Sequence, residues 1–223
     1  MALIVPQHTP TWKQGYASCA AESRNPGLWK GLVFAGLPSL GPTGLTLRDI
    51  SGWKNHGTGI TAFPDWVLTH HHGYALRYTA ASNNAITCGA GKLLTNNENQ
   101  FSVVLRVRRA TNTYAGLLAK DTNPTRNWFF ATYYNLQLRV RLYQTDSTSR
   151  EKYTASNTLP LNTWTHLALV VDGPAGAVTL YIDGVPEDFT PLSWDGTVKN
   201  DASSPFTIGQ LYSSAYDFSG DIY

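Results

Sequence analysis

The sequence contains few of the groups from which nucleic-acid-binding and membrane proteins are built. Only 14% of its 223 residues are charged, and 17 basic residues nearly balance 15 acidic ones, for a formal net charge of +2. Nucleic-acid-binding proteins usually carry a strong basic stripe, so this balance argues against a nucleic-acid partner. No apolar run approaches the roughly 20 residues that a membrane-spanning helix requires. The composition therefore predicts neither nucleic-acid binding nor a membrane span.

Cysteine is equally scarce, since only Cys19 and Cys88 are present. The two could form one disulfide, or they could remain as buried free thiols, which is the interpretation we favour. A chain of this length buries roughly 70% of its unfolded surface, which is enough for a core without cross-links.

Glutamate is rare, and this limits the chemistry available for glycoside hydrolysis. That reaction needs two carboxylates roughly 5–10 Å apart, which a strand supplies most simply at positions i and i+2. No predicted strand carries such a pair, most aspartates fall at predicted turns, and no Gly-x-Ser-x-Gly nucleophile motif occurs. We therefore predict that the protein is not an enzyme, and a polysaccharide hydrolase with a dispersed active site is an alternative. The glutamates are Glu22, Glu98, Glu151 and Glu187.

Glycine and proline are abundant, with 19 and 12 residues, as is typical of short strands joined by many turns. The segment Leu159–Gly184 shows the pattern most clearly. Trp164–Asp172 and Ala177–Asp183 alternate as half-buried strands do, and Asp172–Gly176 forms a tight joint between them. This segment predicts an antiparallel hairpin.

Further strand-like segments follow one another from residue 31 onward without a convincing helix, and they predict two packed sheets. Residues 1–30 contain three prolines and no sustained period, so we predict an extended N-terminal arm over 1–30 and one domain over 31–223. The other predicted strands are Leu32–Leu37, Leu45–Ile50, His56–Thr61, Asp65–Leu68, Tyr74–Tyr78, Asn84–Cys88, Gln100–Arg108, Ala115–Ala119, Trp128–Tyr134, Leu136–Tyr143, Glu151–Ala155, Phe206–Gln210 and Phe218–Tyr223.

Several short sequence motifs follow one another along this domain. Besides the hairpin, they are Gly31–Ala35, Asp49–Thr58, Tyr74–Tyr78, Phe101–Arg108 and Pro205–Gly209. Together they resemble the laminin-G-like family of concanavalin A-like jelly rolls, roughly over residues 31–223. The resemblance implies an all-β, two-sheet antiparallel jelly-roll sandwich. Lectins, hydrolases and adhesion modules share this fold, so the fold alone does not name a function.

A narrower resemblance concerns the start of the chain. Leu3–Pro6, Asn25–Pro26, Lys30–Phe34 and Gly41–Thr58 resemble laminin-G-like proteins encoded by tailed phages and prophages. This implies a virion structural or decoration-type protein that binds carbohydrate or a cell surface. The alternative is a cellular, secreted carbohydrate-binding or adhesion module, located outside the cell or at its surface.

Both ends of the chain are candidate sites of contact with partner proteins. The N-terminus has neither the basic region nor the apolar segment of a secretion signal, and the arm could dock the domain to neighbours or to a particle. The family's final strand runs on beyond Phe218–Tyr223, so the chain is either a fragment or leaves an open sheet edge that recruits a strand. We therefore expect an oligomeric or particle-bound protein with partners at the arm or at this edge.

One loop is a candidate calcium site, although no cofactor is certain. Asp49 and Asn55 are the candidate ligands, because their loop combines a carboxylate, a hydroxyl and an amide. The resemblance adds that members of the superfamily often carry calcium. The alternative is an Asx-type turn bonded to local backbone amides, which we favour because one carboxylate is little charge for a divalent ion.

Two arginine pairs are candidate ligand-binding residues. Arg106 and Arg108 project from one face of their predicted strand, and Arg139 and Arg141 from one face of theirs. If the two strands are neighbours, the four guanidinium groups form a ladder for a carboxylated or sulfated polysaccharide or an acidic partner. The alternative is a charged outer face that keeps the protein soluble.

Aromatic residues in or near predicted loops could form a platform for sugar rings. We assign Trp164 to the core instead. The candidates are Trp53, Tyr114, Trp128, Tyr212 and Tyr216.

Overall fold

A computed structural model of the chain describes residues 32–51, 53–70, 73–90, 99–122, 124–146, 148–187, 196–199, 201–211 and 214–223. The predicted arm over residues 1–30, Cys19 and Tyr212 lie outside these described residues. Within them no helix has the length and apolar character needed to cross a membrane.

The fold is built from two antiparallel sheets, which confirms the predicted all-β sandwich. One sheet has eight strands in the order β1-β2-β5-β14-β7-β8-β9-β10, and the other has seven in the order β13-β12-β11-β6-β15-β4-β3. Short 3₁₀ turns occur at Pro38–Leu40, Ala80–Ser82, Tyr134–Leu136 and Ser214–Tyr216. The strands are β1 (Thr46–Leu47), β2 (Gly57–Gly59), β3 (Asp65–Thr69), β4 (Gly73–Tyr78), β5 (Ile86–Ala90), β6 (Gln100–Arg109), β7 (Ala115–Thr122), β8 (Thr125–Tyr133), β9 (Gln137–Tyr143), β10 (Ser149–Tyr153), β11 (Thr165–Asp172), β12 (Ala177–Ile182), β13 (Val185–Glu187), β14 (Pro205–Ile208) and β15 (Gly220–Ile222).

The predicted hairpin is confirmed as β11 and β12, which pair antiparallel from Asp172 opposite Ala177 to Leu167 opposite Ile182. One predicted strand was wrong, and one strand was not predicted. The segment Leu32–Leu37 forms only an isolated bridge between Gly36 and Asp49, and β13 was missed because Pro186 interrupts its short pattern.

The final strand does not form an open edge. β15 lies inside the seven-stranded sheet, where Asp221 is paired with Arg77 of β4 on one side and with Arg108 of β6 on the other. The Asp221 carboxylate is 1% exposed and accepts hydrogen bonds from both arginines. Of the two alternatives for this strand, the open edge that recruits a neighbour was therefore wrong, because its backbone groups are already bonded within the chain.

The core lies between the two sheets and consists of alternating apolar residues from both. Trp128 and Phe130 of β8 and Leu167 and Leu169 of β11 are buried there. Cys88, also in this core, is a free thiol, and burial raises its pKa to about 12.

A second apolar cluster covers the opposite, outer face of the eight-stranded sheet. Phe129 and Ala131 of β8, Tyr143 of β9 and Leu211 from the loop after β14 form its centre. The loop approaches closely because Gly116 of β7 has no side chain: a Cβ there would lie 2.5 Å from the backbone nitrogen of Leu211. The outer face is thus closed on one side by this loop.

Candidate functional site

The outer face of the eight-stranded sheet carries aromatic and charged side chains on neighbouring strands. Pairing across the sheet aligns Phe129 of β8 with Arg141 of β9 and Glu151 of β10, and it aligns Arg139 with Tyr153. Since alternate side chains of a strand share a face, these groups form one surface. We call it the tyrosine–arginine face, and its members are Tyr114, Arg126, Phe129, Tyr133, Arg139, Arg141, Tyr143, Glu151, Tyr153 and Tyr216.

Arg139 lies at the centre of this face and is surrounded by aromatic rings. Its Cζ lies 5.0 Å from the centroid of Tyr114, 5.3 Å from that of Phe129, 5.4 Å from that of Tyr133 and 5.3 Å from that of Tyr153. The residue is only 8% exposed, so the cation–π attraction acts with little screening by water. The arrangement fixes the guanidinium group without using all of its hydrogen-bond donors.

Glu151 binds both arginines of β9. It accepts hydrogen bonds from Arg139 and from Nε of Arg141, the latter at 2.7 Å. Burial opposes ionisation of Glu151. The hydrogen bonds from the two arginines and their positive charges outweigh this effect, so the pKa of Glu151 lies below its usual value. One carboxylate thus balances only one of two guanidinium charges.

Arg126 joins the face because of a β-bulge. Lys120 of β7 is opposite Trp128 and Asp121 is opposite Arg126, so Asn127 has no partner across the ladder. The extra residue reverses the alternation and brings Nη1 of Arg126 within 2.8 Å of the Tyr143 hydroxyl oxygen.

Asp121 is a buried carboxylate beside this arginine. Its Oδ1 lies 3.8 Å from Nε of Arg126, and neither carboxylate oxygen has a hydrogen-bond partner among the described residues. Burial raises the pKa of Asp121 to about 6, although Arg126 and Arg141 act in the opposite direction. Among the described residues, three arginines therefore lie near two carboxylates, and the raised pKa of Asp121 brings its protonation closer to neutral pH.

Two of the predicted aromatic residues and one predicted arginine pair meet on this face. The rings of Tyr114 and Tyr216 are 4.8 Å apart, and both pack against the outer cluster. Arg139 and Arg141 belong to the same surface. These four residues come together as the prediction of a sugar or anion site requires.

The other arginine pair lies elsewhere, so the predicted four-arginine ladder does not form. β6 and β9 belong to different sheets, which places Arg106 and Arg108 on the far side of the sandwich. Their Cζ atoms lie 5.6 and 5.8 Å from the Trp164 ring. Trp164 is only partly buried against them, and its assignment to the core was wrong.

The remaining predicted rings do not join the face. Trp128 is 1% exposed in the core, because it alternates with the outward Phe129 along β8, so its ring lies on the opposite side of the sheet from this face. Trp53 is 58% exposed in the loop between β1 and β2, at the opposite edge of the sheet from β10. The predicted Tyr212 lies outside the described residues.

The loop at Asp49 does not fit calcium. The Asp49 carboxylate accepts four hydrogen bonds, from the backbone nitrogens of Ala35, Ser51 and Asn55 and from the Ser51 hydroxyl. The Asn55 side chain donates to the Val33 carbonyl. Donors already occupy both carboxylate oxygens of Asp49, and no group of three acidic, histidine or cysteine side chains suited to a metal occurs among the described residues. Asp49 instead forms the Asx-type turn named as the alternative, whereas the side chain of Asn55 bonds a distant carbonyl rather than local backbone amides.

Sequence reasoning missed Phe129, Tyr133, Tyr143, Glu151 and Tyr153 as members of the site. A signal was present, because aromatic or charged residues lie at alternate positions of three consecutive predicted strands, interrupted by Ala131 and Ala155. Pairing β8, β9 and β10 as successive hairpins would have placed them on one face. The bulge that adds Arg126 has no comparable signal.

Comparisons with known proteins agree with the fold. A family model described as the concanavalin A-like lectin/glucanases superfamily matches residues 80–223, well over half of the chain. No curated protein sequence matches the chain.

Among solved structures, the receptor-binding domain of botulinum neurotoxin D is similar at 12% identity and a TM-score of 0.56, covering 79% of this chain and 46% of that one. The serotype G binding domain is similar at 15% identity and a TM-score of 0.54, covering 79% and 44%. A Trypanosoma rangeli sialidase is similar at 18% identity and a TM-score of 0.51, covering 86% and 31%. The chain spans less than half the length of each of these structures, and at such identities the likeness concerns the fold alone. On its family match, the chain belongs to the laminin-G-like group of the concanavalin A-like lectin/glucanases superfamily.

Proposed function

We propose that this protein is a non-enzymatic carbohydrate-binding module that holds a glycan against the tyrosine–arginine face. The observation that carries the proposal is the position of Arg139, whose guanidinium group is held among four aromatic rings on the outer face of a sheet. Sugars present an apolar face to aromatic rings and hydroxyl groups to fixed polar groups, and this surface offers both.

The half-buried tyrosines are suited to this contact. Tyr133 and Tyr153 lie with their centroids 4.8 Å apart, and the Tyr153 hydroxyl donates to Glu151 at 3.2 Å. Rings held in this way lose little conformational freedom when a ligand binds, so more of the contact energy contributes to affinity.

The arrangement of carboxylates supports binding rather than hydrolysis. Asp121 and Glu151 are the acidic groups of the outer face among the described residues, and they belong to β7 and β10. Three strand spacings separate them, roughly 14 Å, which exceeds the separation that either glycosidase mechanism uses. Glu151 is also held by two arginines rather than directed at a ligand.

The test compares two tyrosine variants on a glycan array and by calorimetry. Tyr153→Ala removes a ring of the face, whereas Tyr181→Ala removes a partly buried tyrosine from the outer side of the other sheet. We expect Tyr153→Ala to weaken glycan binding about tenfold and Tyr181→Ala to leave it unchanged. Equal effects of both variants, or no glycan bound by the native protein, would overturn the proposal. Turnover of any polysaccharide would restore the hydrolase alternative.

Display on a virion is a further proposal about where the module acts, and it rests on the resemblance of the opening phrases alone. Under it, the segment 1–30 would dock the module to other proteins. Light scattering of the full chain tests the docking part, because a strict monomer at high concentration would contradict assembly through this segment.

A further inference from the structure

We propose that a cavity beside β6 binds an extended peptide segment of a partner protein, and that this segment pairs with β6 as an added strand. The cavity lies between the two sheets, and Trp128 of β8 lines it. Because Trp128 points to the core and its neighbour Phe129 to the tyrosine–arginine face, the cavity and that face lie on opposite sides of β8. The inference therefore goes beyond the proposed glycan binding and does not depend on it.

Only one end of β6 has a strand on both sides. β11 pairs with β6 over Gln100–Val107, whereas β15 pairs with it only over Val107–Arg109. One further pair of backbone hydrogen bonds joins Arg106 to Tyr223. In the part of the chain that the structure describes, no strand lies on the β15 side of residues 100–105. We call this stretch of the edge the free half of β6.

The backbone groups of the free half point into the space that β15 leaves open. Arg106 and Tyr223 exchange both backbone hydrogen bonds, with N–O distances of 3.3 and 2.8 Å. Because the bonding direction alternates along a strand, the N–H and C=O groups of Ser102 and Val104 point to the same side as those of Arg106. No described residue bonds to these groups on that side. The backbone of an added strand would supply the missing partners.

A cavity of about 430 Å³ lies next to the free half of β6. Residues 32–37 form a second wall, and hydrogen bonds from Ala35 to the Asp49 carboxylate and from the Asn55 side chain to Val33 hold this wall in place. The cavity is therefore formed before any ligand binds, which lowers the cost of binding.

The burial of β6 changes along the strand where the cavity begins. Leu105 and Val107 are 5% and 0% exposed, whereas Phe101 and Val103 are only half-buried although they face the same side. Trp128, which lines the cavity opposite β6, is 1% exposed, and its indole Nε1 has no hydrogen-bond partner among the described residues. The cavity thus offers apolar surface and a buried donor that still requires an acceptor.

These walls favour a peptide strand over a small apolar ligand. An apolar molecule would bury the backbone groups of Ser102 and Val104 without partners, whereas a strand bonds to them and places alternate side chains beside Phe101 and Val103. Every described strand already belongs to one of the two sheets, so the described part of a second copy has none to donate. We therefore assign the cavity to a partner protein with apolar residues at every second position over about six residues.

The experiment measures binding of synthetic peptides to the full chain by fluorescence anisotropy. The probe is a dye-labelled, amidated peptide of the sequence Lys-Val-Thr-Val-Thr-Val-Lys, whose valines would lie opposite Phe101, Val103 and Leu105. The control peptide, Lys-Ser-Thr-Ser-Thr-Ser-Lys, keeps the length and charge without the apolar side chains. We expect the probe to bind ten or more times more tightly than this control.

Two N-methylated forms of the probe are a matched pair that tests strand pairing. The threonines of the bound probe would lie opposite Ser102 and Val104, with their N–H groups directed at β6. Methylation of both threonine nitrogens should therefore weaken binding about tenfold. Methylation of two valine nitrogens, which point away from β6, should weaken it much less.

Hydrogen exchange tests the location of the bound probe. In the free protein the amides of Ser102 and Val104 should exchange faster than those of Phe101 and Val103, which bond to β11. The probe should slow exchange of the first two amides and leave the other two unchanged.

A cavity-filling variant tests the same location from the side of the protein. Val103→Phe should weaken binding of the probe about tenfold, because the larger side chain occupies the cavity. Val185→Phe is the matched control, since it makes the same change at an exposed position of β13. The N-methylated pair is measured on the native protein, so misfolding of Val103→Phe would leave the test intact.

Several outcomes would overturn the proposal. These are equal affinity of the two N-methylated forms, failure of the probe to bind, and unchanged exchange of Ser102 and Val104 when it binds. A dimer in light scattering that protects these two amides without any probe would assign the cavity to a second copy instead. Competition by decanol for the cavity without protection of these amides by the probe would assign it to an apolar ligand.

Discussion

Nε of Arg141 donates a hydrogen bond to Oε2 of Glu151 at 2.7 Å, between residues that are directly paired across β9 and β10. The same carboxylate also binds Arg139. Side chains at paired positions are held by the sheet itself, so the geometry of this cluster depends on backbone register rather than on loop conformation. A surface fixed in this way is prepared for a ligand before the ligand arrives.

Asp121 should make the folded state less stable at neutral pH. Its folded pKa of about 6 lies above the usual value of 3.8, so the folded protein binds more protons than the unfolded chain between these values. Stability then falls as pH rises from 4 to 6 and the loss stays constant above 6. We expect Asp121→Asn to gain roughly 2 kcal/mol relative to the native protein between pH 4 and pH 7, measured by urea unfolding. Parallel stability curves for the two proteins would contradict the prediction.

Replacing Gly116 should disturb the tyrosine–arginine face by displacing the neighbouring loop after β14. A Cβ at this position would lie 2.4 Å from the carbonyl carbon of Gln210 and 2.5 Å from the backbone nitrogen of Leu211, so the backbone of the loop after β14 must move. We expect Gly116→Ala to cost roughly 2 kcal/mol in the free energy of unfolding and to weaken glycan binding, because Tyr216 follows that loop. Gly176→Ala is a useful control, since a Cβ there meets no atom within 4 Å and only its φ of +62° is strained. A native affinity in Gly116→Ala would contradict the positioning role.

The turn at Asp49 should be stable without metal. Its carboxylate holds four donors that tie residue 35 to the loop between β1 and β2. Asp49→Ala leaves these donors without their acceptor and should cost about 2 kcal/mol or more of unfolding free energy. Calcium and chelator should both leave the melting temperature of the native protein unchanged. A rise in melting temperature with calcium that Asp49→Ala abolishes would show that this loop binds calcium and contradict the prediction.

Cys88 should be unreactive in the folded protein. Its thiol is 8% exposed, and burial raises its pKa to about 12, so the thiolate is scarce at neutral pH. In a Cys19→Ser background, Ellman's reagent should modify Cys88 only after unfolding, and modification should follow the loss of structure. Rapid reaction with the native protein would show that the core around β5 opens.

Local patterns in the sequence predict most strands because burial alternates along them. The hairpin of β11 and β12 is an example, since one continuous segment of the sequence contains both of its strands and its turn. Long-range pairing is different: β15 inserts between β4 and β6, whose residues lie more than one hundred positions away, and no local pattern specifies that position. The same limit explains why the predicted four-arginine ladder was wrong. The arginine pairs that begin at Arg106 and Arg139 follow the same alternating pattern in the sequence, although their strands belong to different sheets.

Within the site, too, local sequence patterns could be predicted and effects of long-range packing could not. Arg139, Arg141, Tyr114 and Tyr216 carry chemistry that is visible in the sequence. Arg126 reaches the face only through the unpaired Asn127, and Asp121 becomes unusual only through burial. Both effects arise from tertiary structure, so no spacing of residues reveals them.

The most direct test of glycan binding at the tyrosine–arginine face is an NMR titration that follows the arginine Nε–H signals. On addition of the glycan that binds most tightly, the signals of Arg126, Arg139 and Arg141 should shift with one common saturation curve, while those of Arg48, Arg77 and Arg106 stay in place. Shifts confined to Arg77 and Arg106, on the opposite sheet, or the absence of any saturable shift at Arg139 and Arg141, would contradict the account.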